Sequence, residues 1–240
     1  MLIVLLNDLR RLVRDQFMVG AALFIVLISV AMRFALPAID ATLRESGGFE
    51  LAAYFPLFAS YNAFAIGSVM TGLILGVLLL ENREQGTISA LMVSPMSMRR
   101  FLVIESAFAY VAAVPVTLGT ALVIGIGLPS AGELVLFTLT AALFAPLMML
   151  ALATFASNKL EAFALLKVLN LLVIGPLAAY FVPQPWQHLA VVFPPYAGMK
   201  AWWIATSGGG AYWHWVLICL LVQAACIAWL GRRFLKTVHG

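Results

Sequence analysis

The chain has 240 residues, of which 64% are hydrophobic and only 10% charged, with a formal net charge of +4. Soluble domains carry about 25% charged residues, so this chain lacks the polar surface that a water-soluble core needs and reads as an integral membrane protein. Its Lys and Arg residues sit in short groups at the ends of apolar runs instead of forming a stripe, which argues against a nucleic-acid partner and makes them topology signals.

At the start, Leu2, Leu5, Leu6, Leu9, Leu12 and Val13 recur at helical spacing opposite Asn7, Asp8, Arg11, Arg14 and Asp15. This predicts an amphipathic helix over 2–15 lying in the membrane interface. A cleaved signal peptide is the competing reading, but acidic residues are mixed among the arginines and no small-residue cleavage pattern follows. Apolar stretches then predict spans at about 17–34, 52–80, 103–128, 134–156, 163–182 and 213–231, each of membrane-crossing length. The fold expected is all-α, a single six-span membrane domain over 1–240, with no internal repeat that would halve it.

Orientation follows from the positive residues of the short loops. With both termini inside, Arg10, Arg11, Arg14, Arg83, Arg99, Arg100, Lys159, Lys167, Arg232, Arg233 and Lys236 fall on the cytoplasmic side. Only Arg33, Arg44 and Lys200 fall outside, together with the acidic Asp40, Glu45, Glu50 and Glu133. The expected location is therefore the cytoplasmic (inner) membrane, multi-pass, with both termini cytoplasmic.

Two stretches between spans stand out. Residues 183–212 are too apolar for a free loop and too rich in Pro and Gly for a full span, with Pro183, Pro185, Pro194, Pro195 and Gly208 to Gly210 beside Trp186, Trp202 and Trp203. Short half-inserted helices on the outer side fit, because irregular backbone is excluded from lipid and Trp prefers the headgroup layer. The second stretch, the loop 81–100 between spans two and three, opens with Glu81, Asn82, Arg83, Glu84 and Gln85 and then Gly86 and Thr87. Thr87 can cap a short helix carrying Ile88, Leu91 and Met92, Gly86 permits the turn before it, and Ser94-Pro95 stops it ahead of Arg99 and Arg100. An apolar face on a short cytoplasmic helix suits a groove on a partner; an ordinary charged loop is the plainer alternative.

In these residues the chain resembles the membrane subunits of type-2 ATP-binding-cassette (ABC) exporters, whose loop reads acidic-rich, Gly-Thr, apolar helix, Ser/Thr-Pro, then basic. The likeness extends to the amphipathic start, the six spans and the long outer segment, and is nearest to bacterial drug-export permeases, the fluoroquinolone group included. The chain departs from many members at Asn82, where a second acid is usual, and near Glu105-Ser106, where a Gly-Lys pair is usual. The resemblance implies that the loop helix is a coupling helix, with Glu81, Arg83, Glu84, Gly86, Thr87, Ser94, Pro95, Arg99 and Arg100 forming the ATPase contact and its turn. It also implies two copies pairing around a central path, with spans two and five at the dimer interface.

No Gly-x-x-x-x-Gly-Lys-Ser/Thr occurs, so ATP and Mg would be held by a separate ATPase subunit and this chain would be a transport subunit with no catalytic residue and no metal or cofactor of its own. Candidate path residues are Tyr54, Tyr61 and Ser68 at intervals of seven, Asn62 alongside, and Asn170 in span five. Ser68, Gly72 and Gly76 equally form a small-xxx-small series suited to helix packing, and Asn170 equally suits an interhelical hydrogen bond. Such a lining fits an apolar or amphiphilic small molecule. The alternatives are a haem-export permease, suggested by His188 and His214 among tryptophans, and a proton-coupled transporter or channel, which the lack of a carboxylate at the middle of any span disfavours. Cys219 and Cys226, two helical turns and roughly 10 Å apart, read as packing residues.

Overall fold

The computed structural model describes residues 16–85 and 97–239. The interfacial helix expected over 2–15 and residues 86–96 of the coupling loop lie outside them. Among the described residues six helices are long and apolar enough to cross a membrane: Val19–Gly47, Leu51–Glu84, Met98–Ile124, Ala131–Phe155, Leu160–Tyr180 and Trp213–Lys236. The all-α six-span architecture stands as read from the apolar runs.

Several boundaries differ for local reasons. Helix α1 (Gln16–Gly47) continues well past Phe34 and through Pro37. Arg33, which looks like a span end, donates from Nη1 to the Val123 carbonyl oxygen at 2.9 Å, close to the αL Gly125 that ends span three. A cation at a helix C-terminus meets orphan carbonyls and the negative end of the dipole, so α1 can hold this charge without stopping. Span two is composite: a 3-10 turn at Leu51–Tyr54, α2 (Phe55–Tyr61), a π-helical segment Asn62–Val69, and α3 (Met70–Glu84). Span three is α4 (Met98–Ile124), capped by Ser97, whose hydroxyl accepts from the Arg100 amide. Span four divides at Leu143 into α5 (Ala131–Ala142) and α6 (Phe144–Phe155), and span five at Asn170 into α7 (Lys159–Leu169) and α8 (Leu171–Tyr180). Helices α9 (Tyr196–Thr206) and α10 (Trp213–His239) complete the chain.

Spans two and four form the centre. The buried share of their most apolar stretch is 89% and 78%, against 17% to 33% in the other four. Span two packs along spans three and four, span one lies on span three, span six on span four, and span five sits at the edge. This corrects the dimer-face expectation for span two, which its neighbours enclose; spans one and five expose Leu23, Leu27, Phe34, Leu160, Val168 and Leu171.

The interior has two tiers. At the end that carries residues 85, 97 and 156, here the terminal end, the core is aliphatic, built from Leu75, Leu78, Leu80, Met148, Leu150 and Leu152 with Phe101 and Phe234. At the opposite end it is aromatic, built from Phe64, Phe137, Tyr196, Trp202, Trp203 and Trp215. The segment 183–212 supplies much of that second tier. Its Trp186–Val192 turn exposes Trp186, Leu189 and Val192, whereas α9 packs inward on spans two, four and six, with Tyr196 and Trp202 wholly buried.

Candidate functional site

The first group of expected site residues lies at the terminal end. Helix α3 ends in Glu81 and Arg83, both half-buried, and the exposed Glu84, while Asn82 is buried. The Gln85 amide donates to the Glu81 carbonyl at 2.9 Å, so the helix holds its form to its last residue. Gly86, Thr87, Ser94 and Pro95 lie outside the described residues. Beyond them, Arg99 and Arg100 project from the first turn of α4 and are exposed. A helix N-terminus disfavours cations, so helix stability does not account for this pair.

The second group comprises the candidate path residues. Asn62 is wholly buried and donates from Nδ2 to Ser29 Oγ and to the Thr120 carbonyl, both at 3.1 Å, while the Ser29 hydroxyl donates to the Ile25 carbonyl at 2.9 Å. It thus ties spans one, two and three. Ser68 is also wholly buried and donates to the Ala141 carbonyl of span four at 2.6 Å. Tyr61 is half-buried between the two core tiers. Tyr54, also half-buried, lies near the opposite end against Phe49, Tyr180 and Phe181, with ring centroids 5.8, 5.9 and 5.8 Å away. Asn170 is half-buried at the break in span five, where its carbonyl accepts from the amides of Val173 and Ile174.

These residues do not share one stripe. The interval of seven returns to the same face only while the helix keeps its ordinary pitch, and from Asn62 to Val69 the bonding is i→i+5, with more residues per turn. Ser68 therefore joins Gly72 and Gly76 on the face that meets span four. A Cβ on Gly72 would stand 2.5 Å from the Ala145 carbonyl oxygen, and one on Gly76 would stand 2.9 Å from Leu152 Cδ1. The small-residue series is a packing seam.

Three further polar features carried no sequence signal. Trp203 Nε1 donates to Ser60 Oγ at 2.8 Å and Trp202 Nε1 to the Gly127 carbonyl at 3.0 Å, which locks α9 to span two and to the loop between spans three and four. Asp40 accepts from the Ala52 amide at 2.9 Å and pairs with Arg44 at 3.0 Å, closing the turn between spans one and two. Burial pushes the Tyr196 hydroxyl up to about 12, so it stays protonated at neutral pH. His188 and His214, far apart in sequence, both lie beside Trp215, with ring centroids 5.4 and 5.2 Å from it. Among the described residues no three His, Cys, Asp or Glu side chains gather as metal ligands, and Cys219 and Cys226 are both free thiols.

No solved structure matches the chain significantly. Among curated proteins it is similar to two fluoroquinolones export permease proteins, MT2760 and Rv2686c, from the CDC 1551 and H37Rv strains of Mycobacterium tuberculosis. Each is 27% identical over 230 residues, which cover 95% of this chain and 91% of the relative. The model of the fluoroquinolones export permease protein Rv2686c-like family matches residues 8–231. With nearly every residue inside that match, and with six spans arranged as a bundle, the chain belongs to the Rv2686c-like family of fluoroquinolones export permeases.

Proposed function

We propose that this chain is the membrane half of an ATP-driven exporter of apolar or amphiphilic drug-like molecules, working as two copies with a separate ABC ATPase that supplies ATP and Mg. One observation carries the reading: the loop that would meet the ATPase is continuous with the most enclosed helix of the bundle. Glu81, Arg83 and Glu84 end α3, and behind them the buried span runs through the π segment to Tyr54 at the far end. A push on such a rod reaches spans one, three and four together, since close-packed interiors transmit displacement. The charge bias at the terminal end supports a cytoplasmic ATPase there.

In this reading the wall and the lining are different residues. Asn62 and Ser68 hold helices together, while Tyr54, Tyr61 and Asn170, each part-exposed, line the path or its rim between copies. Aromatic faces without a fixed charge suit a planar amphiphile better than an ion.

The test is co-purification and substrate-stimulated ATP hydrolysis with the partner ATPase. Hydrogen bonds to charged groups are worth about 1.5 to 3 kcal/mol, so Arg83→Ala and Glu84→Ala are expected to insert and dimerise normally but bind the ATPase roughly ten- to a hundredfold more weakly. Gly86→Val is expected to do the same. Unchanged drug export in all three variants refutes the proposal.

A further inference from the structure

At the terminal end a groove of about 400 Å³ opens between spans three and six. Its floor includes the buried Leu102 and Leu150, with Ile227 beside them, and Arg99 from span three and Arg232 from span six stand exposed on its lining. A second groove, of about 650 Å³, adjoins it, sharing Arg232 and Leu235 and adding Trp229, Arg233 and Lys236. No carboxylate is among the described residues that line either one.

The depth of this site in the membrane can be read from its neighbours. Arg233 lies over the Phe155 and Trp229 rings, its guanidinium carbon 5.1 and 5.6 Å from their centroids. Tryptophan beside a cation, at the end of an apolar span, belongs to the headgroup layer. Arg232, the preceding residue, is then at phosphate depth, and the apolar floor one to two turns deeper is at acyl depth. A general positive bias explains cations at this end, but not why two guanidinium groups from different spans flank one apolar groove. Guanidinium pairs favour phosphate oxygens, and basic pockets between spans are recognised by anionic lipid headgroups.

We propose that this groove is a binding site for an anionic phospholipid, with its phosphate between Arg99 and Arg232 and an acyl chain along Leu102, Leu150 and Ile227. The site belongs to the permease chain alone and needs no ATPase, so its test is independent of the functional reading above.

The full-length chain, purified in neutral detergent and stripped of lipid, is titrated with phosphatidylglycerol or phosphatidylcholine while bound lipid is followed by native mass spectrometry. Phosphatidylglycerol is expected to bind and phosphatidylcholine not to displace it. At about 1 kcal/mol per basic residue near a lipid surface, Arg99→Gln with Arg232→Gln should weaken binding roughly thirtyfold, and Arg100→Gln, outside the groove, should not. Gly231 lines the same groove and has no atom within 4 Å of an added Cβ. Gly231→Leu therefore puts a side chain into the groove beside Arg232, where the head of the lipid would lie, while improving helix propensity, and should lose lipid with no loss of thermal stability in detergent. Equal phosphatidylglycerol affinity in the double arginine variant and in Gly231→Leu overturns the proposal. So does a shift in the monomer–dimer balance at unchanged lipid affinity, which would assign the groove to a second copy.

Discussion

Lys200 donates a hydrogen bond to the Oε1 of Gln187, and Gln187 in turn donates from Nε2 to the Ala179 carbonyl at 2.9 Å. This relay joins α9 to the last turn of span five, the span least tied to the rest of the bundle. Burial lowers the Lys200 pKa from its ordinary 10.5. The unfolded chain therefore holds more protons than the folded one between the lowered value and 10.5, and stability contributed by this group rises with pH across that window. The thermal midpoint of the native chain minus that of Lys200→Met, measured in detergent as pH is raised towards 10.5, is expected to increase. A difference that is flat or falls with pH would contradict it.

Asn62 is expected to act on folding before it acts on transport. Its amide bridges spans one and three inside the bundle, and interhelical hydrogen bonds in membranes contribute about 0.6 and at most about 1.7 kcal/mol. Asn62→Ala should lower resistance to denaturing detergent by that order and slow assembly, whereas Tyr54→Ala, at the part-exposed rim, should leave stability nearly unchanged and alter drug preference. Denaturation curves and export assays on the two variants separate the roles.

The seam between spans two and four sets a limit on side-chain size. Gly72→Ala brings a methyl group against the Ala145 backbone, which cannot rotate away as a side-chain tip could. Overpacking of this kind costs about 1 to 3 kcal/mol, so the variant is expected to unfold at lower denaturant than wild type. Gly20→Ala, with no atom within 4 Å of its added Cβ, should be neutral or stabilising.

Membrane orientation has a direct check. Cysteines placed at Glu45 or Gly210 are expected to react with an impermeant thiol reagent in intact cells, and one at Gln85 only after lysis. Cys219 is buried and Cys226 half-buried, so the native thiols leave a low background. Labelling of Gln85 from outside would invert the whole arrangement.

The six spans were legible because an uncharged run long enough to cross a bilayer seldom occurs except as a span, and the short loops gave their order. What the apolar runs hid was anything that depends on a partner helix. Nothing in Asn62 to Val69 marks a change of pitch, since π bonding arises where packing demands an extra residue in a turn; hence Tyr61 and Ser68, seven apart, do not share a face. Arg33 looks like a span end because its carbonyl acceptor, Val123, is ninety residues away in sequence. Likewise, all-round apolarity could not distinguish span two, which is enclosed, from span five, which is exposed. Gly72 and Gly76 held the one usable clue, and it reported packing, not path.

The burial of Tyr196 and Trp202 also changes how the stretch between the last two spans meets the world outside. A segment dense in proline and glycine would ordinarily be the first place for an endoprotease to cut, an antibody to grip or an insertion to be tolerated. Here most of α9 is walled in by three spans, and cutting within it would expose the aromatic tier. Exposed residues lie instead on either side of α9, at Pro183 to Trp186, His188 and Leu189 before it and at Ser207, Gly208, Gly210 and Ala211 after it, so nicking sites, epitopes and tolerated tags in this stretch are expected at those two flanks.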